Sequence, residues 1–225
     1  MNKFCLPIIE SSIIAILSQI EKHKDKYAYF EIWLDYIENL SVEDLEKIFK
    51  HSGLDFIFLF RRKNLELPSI SESLKNELFD HLASRQCFID FDVSTQVTDL
   101  EKFKKINKKA KIVTSYHNYT STPSEMQLGE IAERMHAYDP EVYKFSTFCE
   151  SKIDAFRLLE LQQAFIEKEK QHIVLGMGEH GVITRVFCNL WGNQFWFAPV
   201  ELQASSAEGQ LRYEELSAIL SHLSC

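Results

Sequence analysis

A single-domain (β/α)8 TIM barrel, an α/β fold, is what the sequence predicts, and three observations predict it. Short runs rich in β-branched and aromatic residues alternate with longer segments of helical hydrophobic spacing, eight times over. No linker, composition break or low-complexity run interrupts residues 1–225, so the alternation belongs to one parallel sheet in one domain. Repeats of about 27 residues suit a closed barrel. No GxGxxG follows the first strand to favour the competing open, doubly wound sheet.

Phe4 to Ile9 reads as the first short strand, and Ser11 to His23 as a helix carrying Ile13, Ile14, Leu17 and Ile20 at helical spacing. Tyr27 to Leu34 is the second strand. Ser41-Val-Glu-Asp44 is a capping box that opens a helix through Phe49. Phe56 to Phe60 is a dense apolar third strand, followed by a polar loop with Pro68 and a helix near Ser71 to Ser84. Cys87 to Phe91 is the fourth strand, and Thr98 to Lys108 a basic, partly amphipathic helix. Lys111 to Tyr116 is the fifth, running into His117. The next helix opens at Thr122-Pro-Ser-Glu125, with Pro123 near its first turn, where a missing N–H costs nothing. Val142 to Phe148 is the sixth strand. Lys152 to Lys168 is a long helix with Ile153, Phe156, Leu159 and Phe165 on roughly one face. His172 to Leu175 is the seventh strand, followed by a glycine-rich turn and a short helix through Leu190. Phe195 to Val200 is the eighth, and a last helix runs to about Leu223.

A hydrophobic content of 45% is ample for a core. The net charge of -8 argues against nucleic acid or an anionic membrane as the main partner. The five cysteines are scattered, with no CxxC spacing for zinc and no leader to imply disulfides. A cytoplasmic, reduced protein without a metal is the expectation. His23, His51, His81 and His222 fall in helices or their flanks and read as surface residues.

In a barrel the chemistry gathers at the C-terminal ends of the strands. Strand two carries Glu31, Trp33 and Asp35 at period two, and strand three ends at Arg61. Strand four carries Asp90 and Asp92, strand five ends at His117, and strand six holds Lys144 in its middle. The turn after strand seven reaches Arg185, and the last loop offers Ser205, Ser206 and Gln210. A lysine inside an apolar strand must pair, deprotonate or snorkel to solvent. Free lysine is under ~0.1% neutral at pH 7, and desolvation can turn it into a nucleophile toward a carbonyl. One lysine for an imine, one histidine for protons and two arginines for an anion make chemical sense together. The glycines at 176, 178 and 181 suit a phosphate cradle or simply a tight turn.

These residues, in this order, resemble the type I 3-dehydroquinate dehydratase family, and the resemblance spans nearly the whole chain. Ser115-Tyr-His-Asn-Tyr119 with Thr122-Pro123 resembles the family's active-site histidine segment, and Val142-Tyr-Lys-Phe145 its Schiff-base lysine. Met177-Gly-Glu-His-Gly-Val-Ile-Thr-Arg185 follows MGxxGxxSR, with Thr184 for serine. Ser206-Ala-Glu-Gly-Gln210 resembles SAPGQ, Glu31-Ile-Trp-Leu-Asp35 resembles ExRxD, and Phe58-Leu-Phe-Arg61 resembles FTxR. The resemblance implies that Lys144 forms an iminium with the ketone of 3-dehydroquinate and that His117 is the general acid/base. It implies that Arg185, Ser206 and Gln210 hold the carboxylate, that Glu31 and Arg61 bind ring hydroxyls, and that the protein is a homodimer needing no cofactor. The chain departs from the family at Trp33 for arginine, Leu59 for threonine and Glu208 for proline. It also lacks the EGG segment, where it has Lys63-Asn-Leu-Glu-Leu67 with Glu66 as a shifted candidate. A related Schiff-base lyase or aldolase on another hydroxylated ketone, and a barrel without catalysis, are the competing readings.

Overall fold

The computed structural model describes residues 3–60, 70–201 and 207–223. Its strands are β1 (Phe4–Ile8), β2 (Tyr29–Trp33), β3 (Asp55–Leu59), β4 (Phe88–Asp92), β5 (Lys111–Asn118), β6 (Val142–Phe148), β7 (His172–Met177) and β8 (Trp196–Phe197). Its helices are α1 (Ile13–His23), α2 (Val42–Phe49), α3 (Glu72–Leu82), α4 (Val97–Ile106), α5 (Glu125–His136), α6 (Lys152–Glu167), α7 (Val182–Trp191) and α8 (Tyr213–Leu223). The strands pair in parallel in the order β7-β6-β5-β4-β3-β2-β1-β8, which is the curled sheet the sequence predicts.

The seam between β7 and β8 is bridged differently from the rest. The Gln194 N–H donates to the His172 carbonyl at 2.9 Å. One residue earlier, the Asn193 amide accepts from the Val174 N–H at 2.8 Å and donates to the Val174 carbonyl at 3.2 Å. A buried side chain thus satisfies the backbone groups that a neighbouring strand would otherwise pair. The eighth strand is shorter than its apolar run. The Ala198 N–H still reaches the Cys5 carbonyl at 3.1 Å, but Pro199 has no N–H to carry the ladder on.

Local signals set most helix starts. The Ser41 hydroxyl accepts from the Asp44 N–H at 3.3 Å, and the Ser41 N–H donates to the Asp44 carboxylate at 3.1 Å, closing the expected capping box. In α5 the cap is Ser124, whose box partner is Gln127, so Pro123 sits just before the cap, next to the first turn as expected. In α6 the buried face is Asp154, Ala155, Leu158, Gln162 and Phe165. Ile153 and Phe156 are instead 67% and 61% exposed, contrary to the face read from the sequence. The Ser151–Asp154 box fixes the phase: its carboxylate must turn back toward the Ser151 N–H, 3.0 Å away, and this carries Ile153 outward. His23 is also buried, against Tyr27, rather than at the surface.

The barrel interior is layered by the two-residue period of its strands. Tyr29, Ile57, Phe88, Val113, Val142 and Ile173 form an apolar floor with Phe195, whose ring lies 4.6 Å from Tyr29 and 4.9 Å from Phe88. Two residues further along the same strands come Glu31, Asp90, Ser115, Lys144 and Leu175. The floor is therefore dry, and the layer above it is where charge begins.

Candidate active site

Lys144 occupies the centre of that second layer, with a side chain only 7% exposed. Its ammonium donates to Glu31 Oε1 at 2.9 Å and to Asp90 Oδ2 at 2.9 Å. The face of Phe197 lies 4.7 Å from the nitrogen. Of the three ways a strand lysine can be accommodated, this protein uses pairing: one ammonium faces two carboxylates. Each carboxylate is held in turn. Asp90 accepts the Ser115 hydroxyl through its other oxygen, and Glu31 accepts the Trp33 indole N–H at 3.3 Å. Removing one member of such a buried set leaves an uncompensated charge, typically at a cost of about 3–5 kcal/mol.

The third layer is set by the next step of two. Asp92 follows Asp90, His117 follows Ser115, and Ser146 follows Lys144. β5 runs two residues past the expected Tyr116, so His117 is strand-borne and its orientation is fixed by the ladder. The His117 Nδ1 lies 2.8 Å from Asp92 Oδ2. Its ring stacks on Tyr119 at 6.1 Å.

Arg185 reaches the same cavity from α7. Thr184 knots the chain just before it, donating to the Gly181 carbonyl at 2.7 Å and accepting from the Gly176 N–H at 2.7 Å. A Cβ on Gly181 would fall 2.4 Å from the Gly176 carbonyl carbon, so this turn needs glycine for close approach. The glycines therefore make a tight turn, and the threonine does the positioning expected of a serine. The Arg185 guanidinium is 2% exposed, and among the described residues its hydrogen bond is one at 3.4 Å to the Glu208 carbonyl. Its Nε and Nη1 have no partner there. Burial lowers its pKa from the ordinary arginine value to about 10, so it is still a cation at pH 7. A buried cation with unused donors is built to receive an anion from outside the chain.

Glu31, Trp33, His117, Tyr119, Lys144, Ser146, Leu175, Arg185, Phe197, Ala207 and Gln210 line one cavity. The structure thus brings together Lys144, His117, Glu31, Arg185 and Gln210 of the sequence-predicted set. Arg61 and Ser206 lie outside the described residues, as does Glu66. Asp35, expected on the same face as Glu31, instead sits in a short 3-10 turn, Leu34–Tyr36, and lines a separate recess. Glu208 turns its carbonyl to Arg185 and leaves its side chain exposed, so its charge is not aimed into the site. The sequence reading assigned no role to Asp90 and Asp92, although their period-two spacing on one strand was the available signal.

Cys5, Cys87, Cys149 and Cys188 are buried and free, and burial raises each thiol's pKa, Cys87 to about 12. Such thiols are poor nucleophiles. Among the described residues no group of three or more His, Cys, Asp or Glu side chains is arranged to hold a metal ion, and no helix is long and apolar enough to cross a membrane.

A family model described as type I 3-dehydroquinase matches residues 4–224. A 3-dehydroquinate dehydratase from Coxiella burnetii is 31% identical over 225 residues, covering 95% of this chain and 90% of that protein. One from Methanocaldococcus jannaschii is 30% identical over 221 residues, covering 96% of each. Among solved structures, the type I 3-dehydroquinate dehydratase of Clostridium difficile, with covalently modified comenic acid, superposes with a TM-score of 0.83 at 21% identity. It covers 99% of this chain and 92% of its own. The 3-dehydroquinate dehydratase of Aquifex aeolicus gives a TM-score of 0.79 at 23% identity over 100% of both chains. The last two matches bear on the fold, an eight-stranded barrel.

Proposed function

The chain belongs to the type I 3-dehydroquinase family, an enzyme family of hydro-lyases, and from that premise we propose that it dehydrates 3-dehydroquinate to 3-dehydroshikimate through a Schiff base on Lys144. The observation that carries this reading is the pairing of functions across one cavity. A lysine held between two carboxylates shares that cavity with a buried guanidinium two of whose nitrogens have no partner among the described residues.

The steps follow from the groups present. Arg185 and Gln210 receive the substrate carboxylate, and Glu31 a ring hydroxyl, which brings the ketone to Lys144. The ammonium gives up a proton to a neighbouring carboxylate or to His117, and the amine adds to the carbonyl carbon. Loss of that oxygen as water leaves the iminium. Glu31 and Asp90 then face a cation again, so the electrostatics that hold the ammonium also hold the iminium. The iminium withdraws electrons from the adjacent carbon, and His117 takes a proton there. The electron pair forms the double bond as the ring hydroxyl leaves, and the imidazolium returns a proton to make it water. Hydrolysis of the imine frees Lys144, so the net change is loss of one water. The iminium is the electron sink, and the route calls for no other cofactor.

The free space left among the lining side chains is about 30 Å³, room for little more than a water. A six-membered ring therefore displaces side chains at the mouth, where Trp33 and Tyr119 stand. Trp33 offers one N–H where the family has a guanidinium, and a turnover screen against other hydroxylated cyclic ketones measures how far it moves substrate choice. The decisive experiment is borohydride reduction with 3-dehydroquinate. Mass spectrometry should find a reduced adduct on Lys144; full activity with no adduct would rule out the imine. His117→Ala should lose ~10²–10⁴ in kcat, and a loss under about tenfold would mean that another group moves the proton.

We also propose a cytoplasmic homodimer. The free buried thiols support a reducing compartment. Ile153 (67% exposed), Phe156 (61%), Ile183 (46%) and Trp191 (52%) on the outer faces of α6 and α7 support a self-contact. Sedimentation should give a dimer that Phe156→Glu converts to monomer; a wild-type monomer at micromolar concentration would refute it.

A further inference from the structure

We propose that Asp92 is the positioning residue of the reaction, holding the His117 imidazole in the tautomer and orientation that proton transfer needs. The inference rests on the reading of His117 as the acid/base, and deepens it.

The placement is a product of register. Asp92 of β4 pairs with Ser115 of β5, and His117 is the next residue of β5 on the same face. One carboxylate oxygen, Asp92 Oδ2, accepts the His117 backbone N–H at 3.1 Å and meets Nδ1 of the same residue at 2.8 Å. The other oxygen accepts the Ser94 N–H at 2.9 Å and lies 3.5 Å from the Thr95 hydroxyl. The Asp92 N–H donates to Gln96 Oε1 at 3.0 Å. The carboxylate is thus fixed by its own chain on both oxygens. Its side chain is 3% exposed and that of His117 8%, so water does not compete for the contact.

An ionised carboxylate only accepts, so the 2.8 Å contact puts a hydrogen on Nδ1. In the neutral ring Nε2 then carries the lone pair, and it is the nitrogen remote from Asp92 that can address a bound substrate. After Nε2 takes a proton, the adjacent carboxylate balances the imidazolium. Among the described residues, the remaining ionisable groups on the cavity wall are Glu31 of β2, Lys144 of β6, Tyr119 after β5 and Arg185 of α7. None of these is within 4.0 Å as an ion-pair partner of His117 among the contacts described, whereas Asp92 is. β4 therefore divides its acids: Asp90 serves the lysine, and Asp92, two residues on, serves the histidine.

The test is Asp92→Asn, which keeps the shape and an acceptor for the backbone N–H but removes the charge and lets the amide donate. We expect kcat to fall ~10²–10⁴ with KM within about threefold, as for loss of a carboxylate that sets a catalytic tautomer. The limb of the kcat profile that requires the neutral base should move to lower pH, and Asp92→Glu should regain at least a tenth of the wild-type rate. Nitrogen-15 NMR on histidine-labelled protein, with His117→Ala to identify the resonances, should show Nδ1–H in wild type and a shift toward Nε2–H in Asp92→Asn. The tautomer can be read without substrate, so it judges this inference even if the dehydratase reading fails. It also decides in wild type if Asp92→Asn does not fold. A kcat for Asp92→Asn within threefold of wild type, or Nε2–H in the wild-type His117, would overturn the proposal.

Discussion

Two buried cations share one cavity and are treated in opposite ways. Lys144, on the β6 wall, faces two carboxylates at 2.9 Å each. Arg185, on the α7 wall, has one long hydrogen bond to a carbonyl and two nitrogens with no partner among the described residues. Both are almost fully buried, so the difference is not one of solvent. The proposed mechanism accounts for it by what each would meet. On that reading the lysine is a charge that changes form, ammonium to iminium, and its counter-ions serve both forms. The arginine on the same reading receives a ligand that brings its own negative charge, and a carboxylate supplied by the chain would compete for the site. Burial is felt in the second arrangement, where it lowers the guanidinium's pKa to about 10.

Deleting the compensated charge should have the largest effect. Lys144→Ala should lose about 10⁴-fold or more in kcat and all borohydride trapping. It should also lose about 3–5 kcal/mol of stability, because Glu31 and Asp90 are left facing one another. A fully stable Lys144→Ala, by urea unfolding, would show that the three groups do not act as a charge set.

Deleting the uncompensated charge should separate function from stability. Arg185→Met should cost about 2–5 kcal/mol in kcat/KM, mostly through KM. The unliganded variant should be as stable as wild type or more stable by about 1–3 kcal/mol. A carboxylate-bearing product should raise the melting temperature of wild type and not of the variant. Marked destabilisation by Arg185→Met would mean that the guanidinium is satisfied within the chain.

A smaller effect tests how the two walls are held together. Gly209 has φ 77° and lies where a Cβ would be 2.8 Å from the Gly178 carbonyl oxygen. Gly209→Ala should strain the backbone by roughly 1–3 kcal/mol and shift the neighbouring Glu208 carbonyl and Gln210. Up to about a tenfold loss in kcat/KM is expected, with kcat little changed. An unchanged KM would uncouple this segment from the carboxylate site.

The mildest effect concerns a buried base kept neutral. His172 donates from Nδ1 to the Lys170 carbonyl at 2.8 Å, and the Gln162 amide lies 3.3 Å from its Nε2. Burial, the largest cause, lowers its pKa, and also that of His23. The unfolded chain therefore binds protons that the folded one resists. Stability should be full above the ordinary histidine value of about 6.5 and fall as pH drops through it. Chemical denaturation at pH 7.5 and 5.5 measures this, and greater stability at the lower pH would reverse the sign.

The sequence by itself determined the alternation of eight strands and helices, because hydrophobic period is a local property. It determined that Lys144 sits in the middle of an apolar strand, and that Glu31 and Asp90 follow apolar strand residues by two, with Asp92 two further on. The capping box at Ser41 was equally legible, since a cap and its partner lie three residues apart. The face of α6 was misread at Ile153 and Phe156, which carry the right spacing for a core, and only packing revealed that the core took Ala155 and Leu158 with the expected Phe165. The tertiary structure alone decided which acid serves which base. A two-residue step fixes the face of a strand, but not the register of its neighbour, and Asp92 meets His117 across 25 residues of chain only because β4 and β5 align as they do. It alone decided that Arg185 is buried with no counter-ion among the described residues, for whether a charge is compensated depends on every element packed around it, and no local stretch of sequence records that.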